Sequence, residues 1–335
     1  MERKLASIQR VESISPIYEA DNIVKARILG WDVIVKKNEF KVGDLCVFFE
    51  IDSILPIAPW SQFMQSRKYR VKTVRMKGVL SQGLALPTSI LIGNVFEVGL
   101  DISKSLGVTK YEPAIPSLAD NKEIAGAFPG GVPKTDETRL QSVLGVLDEL
   151  RGKDFYITTK LDGQSATFYK PSPEEPLMAC SRNYSIKNGD NALWRVAEQY
   201  SLESKIPAGY AVQGELCGPG IQQNRLRLKS VDFFVYNIYN VSDYYYLNYE
   251  VLISVSKKLG LKTVPVEQVV TGDSARSFDH SLDNYLKLAK GLYVDTVNRK
   301  EGIVVRPLVA CRSHALGGRL SFKVINNDFL LKDED

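Results

Sequence analysis

The sequence predicts an α+β protein of two domains: a small N-terminal β-barrel, then a larger domain of helices and mostly antiparallel sheets. Three observations carry this. At 335 residues the chain exceeds the usual single domain, so two are expected, each large enough to bury a core. The first hundred residues read as short strands parted by turns. Farther on, strands and helices mix in no strict βαβ rhythm, which favours antiparallel sheets.

Alternation of apolar and polar residues predicts strands at 5–11, 23–29, 31–35 and 45–49, with a Gly43-Asp44 turn before the last. A further strand over 69–76 leads through Gly78 to Leu84-Ala-Leu-Pro87. Five or so strands, one of them basic, fit an OB-fold over residues 1–106; an SH3-like barrel would read much the same. From 107 to 135 the texture changes. Pro113, Pro116, Pro129 and Pro133 fall among Gly107, Gly126, Gly130 and Gly131, too many breakers for a regular element, so this stretch reads as a linker. The second domain is set at 136–335. It opens on a helix, because Leu140, Val143, Leu144, Leu147 and Leu150 recur at helical spacing and Gly152 follows. Further helices are expected at 190–200, 249–259 and 282–291, and the acidic end Lys332-Asp-Glu-Asp335 reads as a solvated tail.

Composition narrows the chemistry. With only His280 and His314, mechanisms built on a histidine base or on several imidazole ligands are disfavoured. The four cysteines, Cys46, Cys180, Cys217 and Cys311, form no C-x-x-C pair, which argues against a zinc site and a disulfide framework. No apolar run approaches a membrane span and the first residues lack a secretory signal, so an intracellular location is expected. Catalysis would therefore rest on lysine, arginine, carboxylates or a hard metal. The net charge of +4 is uneven: residues 1–110 hold 16 Lys/Arg against 11 Asp/Glu, the rest 27 against 28.

The residues 155–163, Phe-Tyr-Ile-Thr-Thr-Lys-Leu-Asp-Gly, read as a strand entering an Asp-Gly turn, with a second strand over 165–169 completing a hairpin. Lys160 at that strand end can reach into a cleft between sheets. Alone, K-x-D-G is a weak signal, and an ordinary turn lysine is the simpler account. The company it keeps changes this. Ser181-Arg182-Asn183 follows, then Gln213-Gly-Glu215-Leu-Cys-Gly, then Asp232-Phe-Phe-Val-Tyr-Asn-Ile238, then Lys300-Glu301-Gly302-Ile-Val-Val-Arg306, then Leu320-Ser-Phe-Lys323-Val324.

In this order the motifs resemble those of the covalent nucleotidyltransferases, the superfamily of ATP-dependent ligases and mRNA capping enzymes. The N-terminal Arg3-Lys-Leu-Ala, Lys36-Lys-Asn-Glu-Phe40, Phe49-Glu-Ile-Asp-Ser53 and Leu80-Ser-Gln-Gly-Leu-Ala-Leu-Pro87 extend the likeness to RNA ligases with an N-terminal OB domain, the Deinococcus and Naegleria type. The resemblance covers nearly the whole chain. It implies an ATP-dependent RNA ligase in which Lys160 carries AMP, an amine made nucleophilic by neighbouring cations or partial desolvation. It also implies Mn²⁺ or Mg²⁺, with Asp162, Glu215 and Glu301 surrounding the metal and its waters, Glu215 near the ribose as well.

Lys323 alternates with apolar neighbours, where a lysine needs an anionic partner, and is assigned to the α-phosphate. The sequence departs from many relatives two residues earlier, where Ser321 replaces a second lysine; Arg319 or Lys300 is the candidate to supply that charge, if any residue does. By resemblance Arg182 and Asn183 contact ribose or phosphate. Strand alternation puts Phe234 and Tyr236 on one face, one of them to stack on adenine, with the family pattern favouring Tyr236. Isolated, both would read as core aromatics.

Residues 67–77 hold six basic residues and no acid. Lys68, Arg70 and Lys72 alternate on the expected strand, and with Arg75 and Lys77 they would form a groove for an RNA backbone or for the leaving pyrophosphate. A solvated edge strand would look alike. The expected substrate is RNA with 3′-OH and 5′-phosphate ends held close, as at a nick in a duplex or an RNA/DNA hybrid, and a monomer suffices. Another nucleotidyltransferase, such as a capping guanylyltransferase or DNA ligase, and a nonenzymatic OB-type nucleic-acid-binding protein are the alternatives. Capping enzymes usually carry their OB domain last, whereas here it comes first.

Overall fold

The computed structural model describes residues 3–93, 96–112 and 123–331. The chain divides into two units, residues 1–114 with 330–335 and residues 115–329.

The first unit is built on an antiparallel five-stranded sheet in the order Trp31–Lys36, Ile23–Ile28, Ala6–Pro16, Leu45–Phe49, Leu84–Pro87. Its first strand is long enough to serve two partners. Residues 6–10 pair with Leu45–Phe49, and from Val11 onward, with an irregularity between Val11 and Ser13, the same strand pairs with Ile23–Ile28. Such a bulge bends the strand and lets one sheet curl toward a barrel. The alternation read from the sequence is the cause: Trp31, Val33 and Val35 are buried with Val11, Ala26, Ile28 and Phe48 in one apolar cluster. Gly83 has φ +137° and lies so close to the Phe48 ring that an added Cβ would stand 2.5 Å from it, so the approach to the last strand requires glycine.

The basic stretch departs from expectation. Residues 59–67 form a 3-10 helix, Pro59–Arg67, closed by Lys68 and Tyr69, both with positive φ (52° and 57°). Their N–H groups cap the Gln65 and Met64 carbonyls. A strand begins only at Thr73, running Thr73–Met76 and turning at Lys77-Gly78 into Val79–Gln82. Lys68, Arg70 and Lys72 therefore do not alternate along one strand. Neither chain neighbour at the left-handed pair is Gly, Asn or Asp, the residues that normally announce this conformation.

The second unit holds two larger sheets. One has the order Ile124–Ala127, Tyr184–Ile186, Met178–Cys180, Gln164–Lys170, Tyr210–Cys217, Asp232–Asn240, Tyr245–Tyr246, with Lys262–Thr263 also paired to Asp232–Asn240. The other has the order Thr138–Arg139, Phe322–Ile325, Gly302–Pro307, Phe155–Lys160, Val266–Val270. Only the pairings of Thr138–Arg139 and of Lys262–Thr263 are parallel; the others in these two sheets are antiparallel. Of the stretch read as a linker, Thr109–Lys110 pairs with Ser53–Ile54 in the first unit, and Ile124–Ala127 forms an edge strand in the second. Pro113 and Pro116 lie outside the described residues, as does the acidic tail.

Helices Ala192–Gln199, Tyr249–Leu259 and Leu282–Leu288 fall where their apolar spacing puts them. The first is capped by Asn191, whose side chain accepts from Trp194 N at 3.1 Å, and it buries Leu193, Trp194, Val196 and Ala197 against Phe168 and Val212. The helix expected from Leu140 is broken into a 3-10 turn, Leu140–Ser142, and a short helix, Val146–Leu150. Leu140, Leu147 and Leu150 are buried all the same, and Leu144 packs half-buried against them. No described helix is long and apolar enough to cross a membrane.

Candidate active site

The strand ending at Lys160 and the strand beginning at Gln164 are not partners in a hairpin. Phe155–Lys160 belongs to the five-stranded sheet and Gln164–Lys170 to the eight-stranded one. The Leu161-Asp162-Gly163 turn carries the chain from one sheet to the other. It passes so tightly over Tyr210–Cys217 that a Cβ on Gly163 would sit 2.2 Å from the Leu216 carbonyl oxygen, which is why the turn ends in glycine. Lys160 thus stands at the junction of two sheets, beside a cavity of about 440 Å³, a size suited to a small ligand.

One wall of the cavity comes from the five-stranded sheet. Thr158, Val304 and Lys323 lie side by side across three strands, with Lys160 and Arg306 adding their charges to the same wall. The eight-stranded sheet supplies Ser165, Glu215 and Tyr236, and the loop before Thr138 supplies Thr135, Asp136 and Glu137.

Two of the cavity's charges are held in ion pairs. Lys160 Nζ lies 2.6 Å from Glu301 Oε2, both side chains being about four-fifths buried (23% and 20% exposed). Asp162 is paired to Arg225 at 3.3 Å. The pKa of Glu215 is pushed up to about 7, chiefly by burial and further by the Glu301 and Asp162 carboxylates, against the pull of Lys160. Lys323 is drawn down to about 8, by burial first and then by the Lys160 and Arg139 cations; Asp136 and Glu301 oppose the shift. A lysine held this way is a receptive place for an anion, since phosphate would restore its charge.

Of the aromatics, Tyr236 lines the cavity, its hydroxyl linked to Ser165 Oγ at 3.0 Å and through it to Thr135 Oγ1 at 2.6 Å. Phe234 shares the face, as alternation predicts, but it is buried among Leu161, Cys217, Val264 and Tyr293 and does not line the cavity. Arg182 is at the cavity edge, ion-paired to Asp136 at 2.5 Å. Asn183, beside it, accepts from Lys134 Nζ at 3.1 Å and is not part of the lining.

Lys300 is placed elsewhere. Its ammonium meets both carboxylate oxygens of Glu267 at 2.7 and 2.6 Å and the Leu288 carbonyl at 3.1 Å, buried and away from the cavity. It cannot supply the charge that Ser321 lacks. Arg319 hydrogen-bonds Asn237 and lies over the Tyr246 ring, also outside the lining. The cavity's further cation is Arg306, which closes the Lys300–Arg306 motif and had no role assigned to it from sequence. It is 2% exposed, with Nη2 2.8 Å from Glu137 and Nε donating to the Ser321 hydroxyl at 2.9 Å. Strand alternation from Val304 could have found it, since Ile303 and Val305 face the opposite core. Arg225 and Tyr293 were also missed; neither stands in a motif.

Among the described residues no three His, Cys, Asp or Glu side chains form a ready metal cage. Asp162, Glu215 and Glu301 nevertheless feel one another, as the raised Glu215 shows. Hard oxygen donors spaced in this way fit a divalent cation that keeps its waters. In the first unit Lys68, Lys72, Arg75 and Lys77 are exposed, whereas Arg70 is bound to Asp52 at 2.6 Å and lies 3.4 Å over the Tyr111 ring.

Family comparison agrees with both halves of the chain. Residues 5–88 match an OB-fold domain and residues 153–325 match RNA ligase. The chain belongs to the RNA ligase family. Among solved structures it is similar to an RNA ligase of Naegleria gruberi with pyrophosphate, at 33% identity, a TM-score of 0.75 and 98% of each chain covered. Point variants of that enzyme, one with ATP and Mn and one with AMP and Mn, match at 33% identity with TM-scores of 0.76 and 0.77. In both, 99% of this chain and 100% of the other are covered. No curated protein matches the sequence. The first unit of the ligase is thus an OB-fold and the second an α+β domain with mostly antiparallel sheets.

Proposed function

We propose that the ligase is ATP-dependent and seals RNA 3′-OH and 5′-phosphate ends, at nicks in duplexes, through an AMP carried on Lys160. The observation that supports this most directly is the meeting of Lys160 Nζ and Glu301 at 2.6 Å on a cavity wall that also carries Lys323 and Arg306. Unprotonated, the Lys160 amine would attack the α-phosphorus of ATP; the bond to the bridging oxygen breaks, pyrophosphate leaves, and the amine's proton passes to solvent. The RNA 5′-phosphate then attacks the same phosphorus, the P–N bond breaks and Lys160 recovers a proton. Finally the 3′-OH attacks the activated 5′-phosphate and gives up its proton to solvent, the phosphoanhydride bond breaks, and AMP departs.

Lys323 would hold the α-phosphate and Tyr236 would stack on adenine, with Arg182 near the ribose and phosphates. Asp162, Glu215 and Glu301 would hold Mn²⁺ or Mg²⁺ through its waters, and the ion would neutralise charge on the phosphates. The exposed cations of the OB unit would track the RNA backbone. In this reading residues 1–106 would form the RNA-contacting barrel and 136–335 the adenylylating domain, joined through 107–135, of which Thr109–Lys110 and Ile124–Ala127 pair into sheets of the first and second unit.

Incubation with α-³²P-labelled ATP and either metal, followed by a denaturing gel, tests the first step. Wild type should hold the label and Lys160→Ala should lose it entirely. An unlabelled wild type with both metals would overturn the reading. Sealing of free single strands with nicked duplexes untouched would sink the substrate assignment alone.

A further inference from the structure

Lys160 and Gly302 are the last partners between their two strands. One residue on, the chains part, Leu161 turning toward the other sheet and Glu301 leading back into the loop before it. The backbone N–H groups of Asp162 and Glu301 are left without strand partners, and burying such a group unpaired costs about 1–3 kcal/mol. Both donate to one atom. The Tyr293 hydroxyl oxygen accepts from Asp162 N at 3.0 Å and from Glu301 N at 3.1 Å, and its proton goes to the Lys160 carbonyl at 3.2 Å. A phenol has one proton and two lone pairs, so this hydroxyl is fully used by the backbone of three cavity residues.

The ring is itself fixed. It is 4% exposed, among Leu161, Phe234 and Val264. The loop that carries it is closed by Tyr293 N donating to Asn298 O at 2.9 Å and by a bridge between Leu292 and Arg299.

We infer that Tyr293 is a positioning residue for lysine adenylylation: its hydroxyl sets the backbone of Lys160, Asp162 and Glu301 against one another, and with it the meeting of the Lys160 and Glu301 side chains. The inference rests on Lys160 being the nucleophile. Tyr293 touches no reacting atom. Its effect is on alignment, to which a transfer in line with a leaving group is sensitive.

The test is single-turnover labelling of Lys160 from α-³²P-labelled ATP in wild type, Tyr293→Phe and Tyr285→Phe, each assayed well below its own unfolding transition. Tyr285 is a control, a buried phenol in the other core, bonded to His280 Nδ1 at 2.9 Å. Tyr293→Phe should lower the rate constant at saturating ATP by roughly ten- to a hundred-fold, with the KM for ATP held within about two-fold and the labelled fraction unchanged. Tyr285→Phe should lower Tm and leave the rate constant at the wild-type value. A Tyr293→Phe rate constant like that of Tyr285→Phe overturns the inference, as does a loss confined to the labelled fraction, which would mark a merely structural role. No label on the wild type overturns the reading of Lys160 and this inference with it.

Discussion

At and beside the ligase cavity, three largely buried cations are each held by an acid: Lys160 by Glu301, Arg225 by Asp162, Arg306 by Glu137. In the OB unit, Lys68, Lys72 and Lys77 stand exposed around a turn and a two-stranded hairpin. The same residue types do different work in the two settings. Buried and paired, a cation keeps one geometry and loses much if its partner is removed. Exposed, it keeps freedom, is screened by salt, and binds a polyanion as one of several weak attractions that sum. Group transfer needs the first kind of charge; following a strand of varying sequence needs the second.

The largest effect is expected where the pairing is tightest. Arg306→Met removes a guanidinium that is 3% exposed at its side chain and leaves the Glu137 carboxylate, 16% exposed, without its cation. The loss should be about 3–5 kcal/mol in denaturant unfolding. Adding Glu137→Gln should recover part of it, because the stranded charge is the main cost. A loss under about 1 kcal/mol would put Arg306 in the class of exposed charges and erase the contrast.

Much of that cavity was legible because its residues stand in short motifs whose order resembles that of the covalent nucleotidyltransferases. Lys160, Asp162, Glu215, Glu301 and Lys323 were each singled out by that series, with strand ends and alternation as local support. The structure brings all five to one cavity. Arg225 and Tyr293 were not legible. They join the site through bonds spanning 63 and more than 130 residues, from loops whose own composition says nothing of a partner. The strands on either side of Asp162-Gly163 look like a hairpin in sequence, because an Asp-Gly turn between strands is the strongest short-range hairpin signal. The turn is real, but the two strands find better partners in separate sheets. Lys68-Tyr69 misled for the opposite reason, a conformational break with no glycine to mark it.

An intermediate effect is expected from the exposed side of the comparison. Replacing Lys68, Lys72 and Lys77 by alanine together should weaken binding of a nicked RNA duplex roughly ten-fold or more near physiological salt, and reduce the slope of log Kd against log salt by about one for each phosphate that is no longer neutralised. Lysine labelling from ATP should keep its wild-type rate. An unchanged salt slope would remove these cations from the RNA path, and slower labelling would instead assign them to the pyrophosphate.

The smallest effect tests what the buried acids cost. Glu215 has a folded pKa of about 7 against 4.5 in its ordinary state. Between those values the folded chain binds more protons than the unfolded one, so this group's contribution falls as pH rises from about 4.5 through 7 and its full cost is present above that. Glu215→Gln removes the titration. It should raise stability at pH 8 by on the order of 1–2 kcal/mol, less than the bare shift implies because the side chain retains some solvent, and should change little at pH 5. Thermal unfolding at the two pH values reads the difference as a few degrees in Tm. The same variant should lose lysine labelling, since the repulsion among Glu215, Glu301 and Asp162 that costs stability is the field that would draw a divalent ion to the phosphates. Equal shifts at both pH values would mean that Glu215 acts through packing, and its charge would then be no more costly than one on the barrel surface.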